Sequence, residues 1–482
     1  MLFNSLDFAI FLPIVFCVYW LVAKNDTQKQ NLVIVISSIV FYCWWDWRFM
    51  SLVLMSSVVD FLVGNQLKNE TNSLKRKSLL WVSLSVNLGL LCLFKYFNFF
   101  VENFIEVFSL FGKDIKSNTL HLILPLGISF YTFQTLSYTI DVYKRKCDPT
   151  KNFIAFFAFV SFFPQIVAGP IERATNLLPQ FYKSRSFNYQ EAVDGMRQIL
   201  WGLFKKIVIA DNCGGFVDEI FNNYTEYNGS TLLLGAIFFA FQIYGDFSGY
   251  SDIAIGSSRL FGINLKQNFA FPYFSRDFAE FWRRWHISLS SWFKDYLYIP
   301  LGGSRIGLWH KIRNVFVVFL ISGFWHGANW TFIFWGALNA IYFLPLLLTN
   351  RNRRHLDTVA FGKQFPSMRE LIQISITFGL TVLAWVFFRA ETIGQAFHFI
   401  SELFSFSIFD IPFFPRRRHA LTLISLIMFF IIIEWEGREK QYAIENLGVD
   451  WKPIKRGVIY FAIVFSIFWF GGSEQQFIYF QF

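Results

Sequence analysis

Long apolar stretches alternate with short polar connections along almost the whole chain. The first three cover residues 8–23, 31–45 and 49–67, and the last covers residues 457–470. A helix needs roughly 20 apolar residues to cross a hydrocarbon core about 30 Å thick. The pattern therefore predicts an all-α, polytopic membrane protein with about ten to thirteen transmembrane or re-entrant helices, in which residues 1–482 form a single membrane domain.

Prolines interrupt two of the predicted spans. Pro125 lies in the stretch 120–142, and Pro164 and Pro170 lie in the stretch 153–171. A proline inside a helix frees a backbone carbonyl, which is tolerated at membrane depth only where protein or a water-lined cavity satisfies it. Broken or re-entrant helices around a cavity are expected here.

Residues 189–221 have a different pattern, in which apolar residues recur at helical spacing and charged residues are interleaved with them. This is typical of an amphipathic helix at the membrane interface, and it would carry Lys205 and Lys206 on its polar side. Farther along, Asp246 and Asp252 lie in apolar company. We expect both to face the protein interior or a polar vestibule, because a carboxylate facing lipid is costly.

Composition supports the membrane class. The chain is 54% hydrophobic and 16% charged, whereas soluble proteins carry roughly 25% charged residues. The net charge of +10 does not come from one basic surface of the kind that nucleic acids need, and no nucleic-acid partner is expected. The basic residues gather in short connections typical of cytoplasmic loops, at 75–77, 144–146, 205–206, 351–354 and 416–418.

His326 is the most informative single residue. It lies in the run 315–348, which contains no Asp, Glu, Lys or Arg and which predicts one membrane helix or a pair. A titratable imidazole there is a functional-site hypothesis, although a core histidine bonded to a carbonyl is the simpler alternative. Gly323 and Gly327 flank it at a spacing that lets another backbone approach closely, and Asn329 adds a further polar group. These neighbours favour a catalytic role.

A second histidine, His286, follows a short charged and aromatic segment. On a helix, Glu280 could pair with Arg284 four residues later, and Trp282 with His286. His286 would then lie on the same helix face as Trp282 and line a cavity. The alternative is a juxtamembrane helix whose arginines extend into water.

Other catalytic signatures are missing from the sequence. The Gly302-Gly303 loop lacks the ending of a phosphate-binding loop, and neither an H-E-x-x-H nor a G-x-S-x-G pattern occurs. P-loop ATPases, zinc proteases and hydrolases of the nucleophile-elbow type are therefore disfavoured, and no metal site is expected.

Residues 283–290 (RRWHISLS) and 295–303 (DYLYIPLGG) resemble the signature of the membrane-bound O-acyltransferases. Residues 323–330 (GFWHGANW) are similar to the segment that carries the invariant histidine of that family. Within the family, residues 164–171, 246–252 and 385–390 most resemble the branch of bacterial polysaccharide acetylases that acetylates alginate.

The resemblance implies tilted and re-entrant helices around a central tunnel, with His326 as the essential catalytic histidine and His286 as a second one. It also implies a periplasmic partner that completes acetyl delivery to the polymer. The further residues that we expect to bind substrate are Asn329, Trp325, Arg284 and Asp295.

The chemistry of the residues agrees with acyl transfer. A hydroxyl acceptor needs a base, neutral imidazole is the usual choice, and burial should keep His326 neutral. The expected donor is acetyl-CoA or another cytosolic acyl thioester, used as a substrate, with no bound cofactor. We predict that the protein sits in the lipid of the bacterial plasma membrane as a multi-pass enzyme and O-acetylates an exported polysaccharide, alginate in the first place.

Two alternatives stay open. One is acyl transfer of the same family to another acceptor, either D-alanyl transfer to teichoic acid or transfer to peptidoglycan. The other is a non-enzymatic flippase for a lipid-linked sugar, in which the histidines relay protons. Against the flippase, the chain has no internal repeat and its polar residues cluster in one half.

Overall fold

The computed structural model describes residues 1–24, 26–111, 122–305, 307–414, 416–449, 451–471 and 477–478. Within these ranges the secondary structure is helical throughout, with no strand. The α-helices are α1 Leu6–Cys17, α2 Thr27–Asp46, α3 Met50–Asn69, α4 Ser73–Leu91, α5 Phe97–Leu110, α6 Ile128–Tyr143, α7 Phe153–Ser161, α8 Ala174–Leu177, α9 Tyr189–Leu203, α10 Asp211–Asn222, α11 Gly229–Leu260, α12 Phe278–Arg284, α13 Ile287–Phe293, α14 Leu308–His326, α15 Trp330–Leu348, α16 Met368–Arg389, α17 Ile393–Leu403, α18 Arg417–Glu436 and α19 Pro453–Phe470.

Short π-helical and 3-10 segments join several of these helices. The π-helical segments are Val18–Val22, Cys92–Tyr96, Phe204–Ala210 and Lys294–Tyr298. The 3-10 segments are Trp47–Phe49, Leu178–Phe181, Tyr224–Glu226, Pro272–Phe274 and Phe406–Phe409.

Seven helical segments of the described chain are long and apolar enough to cross a membrane, and Leu6–Val22 is a shorter apolar one. The seven are Thr27–Asn69, Ser73–Leu110, Gly229–Leu260, Trp330–Leu348, Met368–Arg389, Arg417–Glu436 and Pro453–Phe470. The first of these covers the predicted spans 31–45 and 49–67. The predicted span 120–142 begins outside the described residues, and its residues 128–142 belong to α6. The all-α, multi-pass class is confirmed.

The predicted interruptions occur in the structure. Helix α7 ends at Ser161, and residues 162–173 continue as buried backbone without a helix. Gly127 caps the start of α6 at a φ of +72°, and a Cβ there would lie 2.3 Å from the carbonyl oxygen of Ile166. The two interrupted segments therefore touch through their backbones, which only glycine allows at this position.

The chain clusters into two compact units, Met1–Ala192 with Ser257–Lys266, and Val193–Gly256 with Gln267–Phe482. The first unit buries a carboxyl that the sequence analysis did not single out. Asp60 is fully buried and accepts hydrogen bonds from Ser83, from Asn87 Nδ2 at 2.9 Å and from Thr139 Oγ1 at 3.0 Å. These bonds join α3, α4 and α6. That residues 1–482 act as a single domain stays a prediction.

In the second unit, the charge-free run 315–348 forms a pair of helices, α14 and α15, joined by a tight turn. Gly323 and Gly327 allow the close approach that their spacing predicts. A Cβ placed on Gly323 would lie 2.2 Å from the carbonyl oxygen of Phe332, and one on Gly327 would meet the Phe332 ring. The hairpin fixes His326 as the last residue of α14.

The structure corrects two predictions about the basic pair Lys205 and Lys206. They belong neither to a cytoplasmic loop nor to the polar side of an interfacial helix, because both side chains are buried in the π-helical segment after α9. Lys205 pairs with Asp252 at 2.5 Å, and Lys206 pairs with Asp246 and Asp211 at 2.8 Å each. Buried carboxylates compensate both lysines. The prediction that Asp246 and Asp252 face the interior is confirmed.

Candidate active site

His326 ends α14 inside a cage of aromatic rings. Its side chain is buried, and the residue is 3% exposed. The imidazole centroid lies 4.9 Å from that of Trp325 and 5.3 Å from those of Trp335 and Phe388. The surrounding rings belong to α14, α15 and α16, so three helices fix the position of this imidazole.

His286 occupies the turn between α12 and α13 in a strained conformation. Its φ and ψ are +43° and +55°, the left-handed region, which costs a residue with a side chain about 1–2 kcal/mol. The residue is 1% exposed, and its ring lies 4.6 Å from that of Phe247 on α11. Such strain persists only where the surrounding structure enforces it, and it concentrates at functional sites.

The predicted pairing of Trp282 with His286 is wrong. Helix α12 ends at Arg284, so the four-residue spacing no longer places these two rings on one face. Trp282 packs instead against Phe319 and Trp335, at centroid distances of 5.3 and 5.7 Å.

Trp325 contacts both histidines. Its ring centroid is 6.1 Å from that of His286 and 4.9 Å from that of His326. Trp335, which touches His326, stacks on Trp385 at 5.6 Å. The structure thus brings both predicted histidines and Trp325 into one aromatic layer, where a low dielectric strengthens the electrostatic interactions of reacting groups.

Asn268 is a site residue that the sequence analysis missed. Its Oδ1 lies 3.2 Å from His286 Nδ1 and accepts hydrogen bonds from the backbone N–H and hydroxyl of Ser288, at 3.2 and 2.8 Å. Asn268 precedes His286 by 18 residues in an irregular segment. No periodicity or motif marks it, and only the folded backbone reveals the contact.

His286 lies outside every candidate span. Burial lowers the pKa of His286 to about 3, because a charged imidazole is poorly solvated there. The ring is therefore neutral at physiological pH. A neutral imidazole has one nitrogen that donates a proton and one that accepts a proton.

Arg284 belongs to an ionic network beside α12. The predicted pair with Glu280 is confirmed, with Arg284 Nη2 3.0 Å from Glu280 Oε1. The same carboxyl binds Arg276, and Arg284 also donates to the carbonyls of Ala270 and Asp357. These bonds anchor the chain before His286. A role of Arg284 in binding substrate stays a prediction.

The neighbouring Arg283 does not extend into water. It donates to the backbone carbonyls of Asn352 and His355, the first at 2.9 Å and the second at 2.5 Å.

The two remaining predicted site residues, Asn329 and Asp295, lie on different segments of the chain. Asn329 caps α15, accepting from the Thr331 N–H at 3.0 Å, and its amide donates to the Glu391 carbonyl at 3.0 Å. Asp295 is half-buried in the π-helical segment after α13. Their roles in substrate binding stay predictions.

Comparison with known proteins assigns the chain to a family. Residues 149–388 match the family model described as MBOAT, membrane-bound O-acyltransferase family. The chain is 35% identical to a "Probable alginate O-acetylase AlgI" of Pseudomonas putida, over 100% of both chains. It is also 35% identical to a peptidoglycan O-acetyltransferase of Helicobacter pylori, over 100% of this chain and 98% of that one. Identity to a teichoic acid D-alanyltransferase of Streptococcus thermophilus is 27%, over 60% of this chain and 75% of that one.

Proposed function

The chain belongs to the membrane-bound O-acyltransferase family, and we propose that it passes an acetyl group from a cytosolic thioester across the membrane to an exported polysaccharide. Alginate is the first candidate acceptor, because an alginate O-acetylase is similar over the whole length. The relatives described above are named as acyl-transferring enzymes, which favours acyl transfer over the flippase alternative.

One observation supports this proposal most strongly. His286 and His326 are both buried, and one indole ring, that of Trp325, contacts both of them. Two imidazoles among aromatic rings can accept or donate protons at a site that excludes bulk water. The acceptor hydroxyl, whether it belongs to the polysaccharide or to the partner that delivers the acetyl group to it, needs such a base, because a free hydroxyl is a poor nucleophile at neutral pH.

His326 is the proposed base or acyl-relay residue. Its imidazole takes the proton of the attacking hydroxyl as the new C–O bond forms and the C–S bond of the thioester breaks. The proton then passes to the departing thiolate. His286 orients the reactants or handles a second proton, and Trp325, which contacts both histidines, packs against the acyl group.

Donor, partner and location follow from the same proposal. Acetyl-CoA is the proposed donor, and it binds as a substrate. The acceptor lies on the far side of a hydrocarbon core about 30 Å thick. We therefore place the enzyme in the bacterial plasma membrane and propose a periplasmic protein that completes delivery to the polymer. Arg284, Asp295 and Asn329 remain proposed contacts for substrate.

The acetyl content of the exported polysaccharide tests the assignment in cells that lack their own copy of the enzyme. His326→Ala should lower acetylation by about 10²–10⁴-fold at normal protein level, because it removes a general base. His310→Ala is the matched control, since His310 lies on the same helix but at its other end. Normal acetylation by the His326→Ala protein would refute the role of His326.

A second acceptor, peptidoglycan, is favoured by the equal identity to a peptidoglycan O-acetyltransferase. Purified cell-wall muropeptides and exported polymer from the same cells distinguish the two acceptors. Acetyl groups that depend on the enzyme should appear on the polymer alone if alginate-type acetylation is correct, and on muropeptides if peptidoglycan is the acceptor.

A further inference from the structure

We propose that Asn268 is a positioning residue that keeps a proton on His286 Nδ1 and so makes Nε2 the basic nitrogen of that imidazole. The catalytic value of this arrangement rests on the proposed function, in which His286 handles protons. The arrangement itself follows from hydrogen-bond geometry alone.

The orientation of the Asn268 amide is fixed by its neighbours. A backbone N–H can only donate, and the Ser288 N–H points at one amide atom from 3.2 Å, so that atom is Oδ1. The other amide atom, Nδ2, donates to Ser251 Oγ on α11 at 3.1 Å. A flipped amide would place two donors against each other at Ser288.

The orientation of the amide determines the tautomer of His286. Nδ1 of His286 lies 3.2 Å from the same Oδ1, and an amide oxygen only accepts, so Nδ1 must carry the proton. A neutral imidazole has a single N–H, which leaves the lone pair on Nε2. The Ser288 hydroxyl agrees with this assignment. It lies 2.8 Å from Oδ1 and 3.5 Å from Nδ1, so its own proton goes to Asn268.

Asn268 is itself held rigidly. The side chain is fully buried, and its backbone carbonyl accepts the N–H of Ile287, the residue after His286, at 2.9 Å. Its amide is tied to α11 through Ser251. The acceptor is therefore locked to the turn that carries the histidine, and the tautomer is set before any substrate binds.

Charged and titratable groups also lie on the helices that are packed around His286. They are Tyr244, Asp246, Tyr250 and Asp252 on α11, Glu280, Arg283 and Arg284 on α12, and His326 on α14. Asp246 and Asp252 are paired with lysines, and Glu280 with arginines. All of these groups are unchanged in the variants below, so a difference between variants reports the substituted position.

Two substitutions at Asn268 separate positioning from mere packing. Asn268→Asp keeps an acceptor for Ser288 and His286 but adds a negative charge next to Nδ1, which should raise the pKa of His286 by about 1–3. Asn268→Leu removes the acceptor with little change in volume. Gln267→Glu is the matched control, since it makes the same change one residue earlier, where the side chain donates to the Gln441 carbonyl.

The full-length protein in lipid nanodiscs, labelled with ¹⁵N-histidine, gives the direct readout. His286→Gln identifies the resonances of His286. The expected spectrum of the unsubstituted protein has Nδ1 protonated and Nε2 unprotonated at neutral pH. Asn268→Asp should raise the titration midpoint of His286, Gln267→Glu should leave it unchanged, and Asn268→Leu should remove the preference for the Nδ1 proton.

A proton found on Nε2 of the unsubstituted protein would overturn the inference, even if no Asn268 variant folds. A midpoint that Asn268→Asp leaves unchanged would overturn it too. The measurement needs no acetyl donor. Failure of the unsubstituted protein to transfer acetyl would therefore refute the proposed function and leave the tautomer assignment standing.

Discussion

A single methyl group added to Gly323 should move His326, the proposed catalytic base on α14, away from the residues of α15 that surround it. Gly323 lies three residues before His326 on α14. A Cβ there would lie 2.2 Å from the Phe332 carbonyl oxygen on α15, which is backbone and cannot rotate away. Because non-bonded carbon and oxygen need about 3.5 Å, the two helices must separate by roughly 1 Å.

The expected cost of Gly323→Ala has two parts. Overpacking of this kind destabilises a protein by about 1–3 kcal/mol. A displacement of about 1 Å at a reacting group can lower the rate by about 10²-fold. Acetylation should therefore fall far more than the amount of folded protein does.

Gly379→Ala is the matched control. Gly379 also lies inside an apolar helix, α16, but a Cβ there would meet nothing within 4 Å. This variant should be at least as stable as the parent, since alanine favours a helix by about 1 kcal/mol over glycine. Thermal unfolding in detergent and polysaccharide acetylation in cells measure both effects. Full acetylation by a folded Gly323→Ala protein would refute the idea that this hairpin fixes His326.

Three further predictions concern Lys206, Asn329 and His286. Lys206→Met should lower the free energy of unfolding by about 3–5 kcal/mol, because it removes the cation that pairs with the buried carboxylate of Asp246 and the half-buried one of Asp211, and an unchanged melting temperature in detergent would contradict this. Asn329→Ala should cost about 1 kcal/mol by removing the cap of α15, whereas Asn329→Ser should keep the cap and the stability but lower acetylation, because it lacks the amide that is proposed to contact substrate; unchanged acetylation with serine would refute that substrate contact. Because burial lowers the pKa of His286 from 6.5 to about 3, the unfolded state binds the extra proton between these values, and stability should fall as the pH drops through that window. Melting temperatures across the window should depend less on pH in His286→Gln, and an equal dependence would show that other groups dominate.

The sequence predicts those features that depend on local pattern. The apolar lengths identify the membrane helices, and the backbone is not helical at Pro125 and Pro164. The run without Asp, Glu, Lys or Arg around His326 predicts one membrane helix or a pair, and the structure has a pair, because a turn separates α14 from α15. The i, i+4 spacing correctly pairs Glu280 with Arg284.

Features that depend on long-range packing cannot be predicted from local sequence patterns. The local pattern around Lys205 and Lys206 is that of a surface helix. Their burial could not be predicted from it, because their partners Asp252 and Asp246 are some 40 residues away or more in the sequence. The left-handed turn at His286 breaks the helical spacing from which the Trp282 pairing was predicted. Asn268 reaches His286 only because the segment before α12 folds back beside it.

Inverted membrane vesicles from the producing bacterium allow the most direct test of acyl transfer through the two-histidine site. The cytosolic face is then outside, where labelled acetyl-CoA is supplied, and the polysaccharide and any periplasmic partner are enclosed. Vesicles with the unsubstituted protein should accumulate labelled acetyl groups on the enclosed polymer, and vesicles with an equal amount of His326→Ala protein should accumulate at least about 10²-fold less. Equal labelling in both would contradict the account.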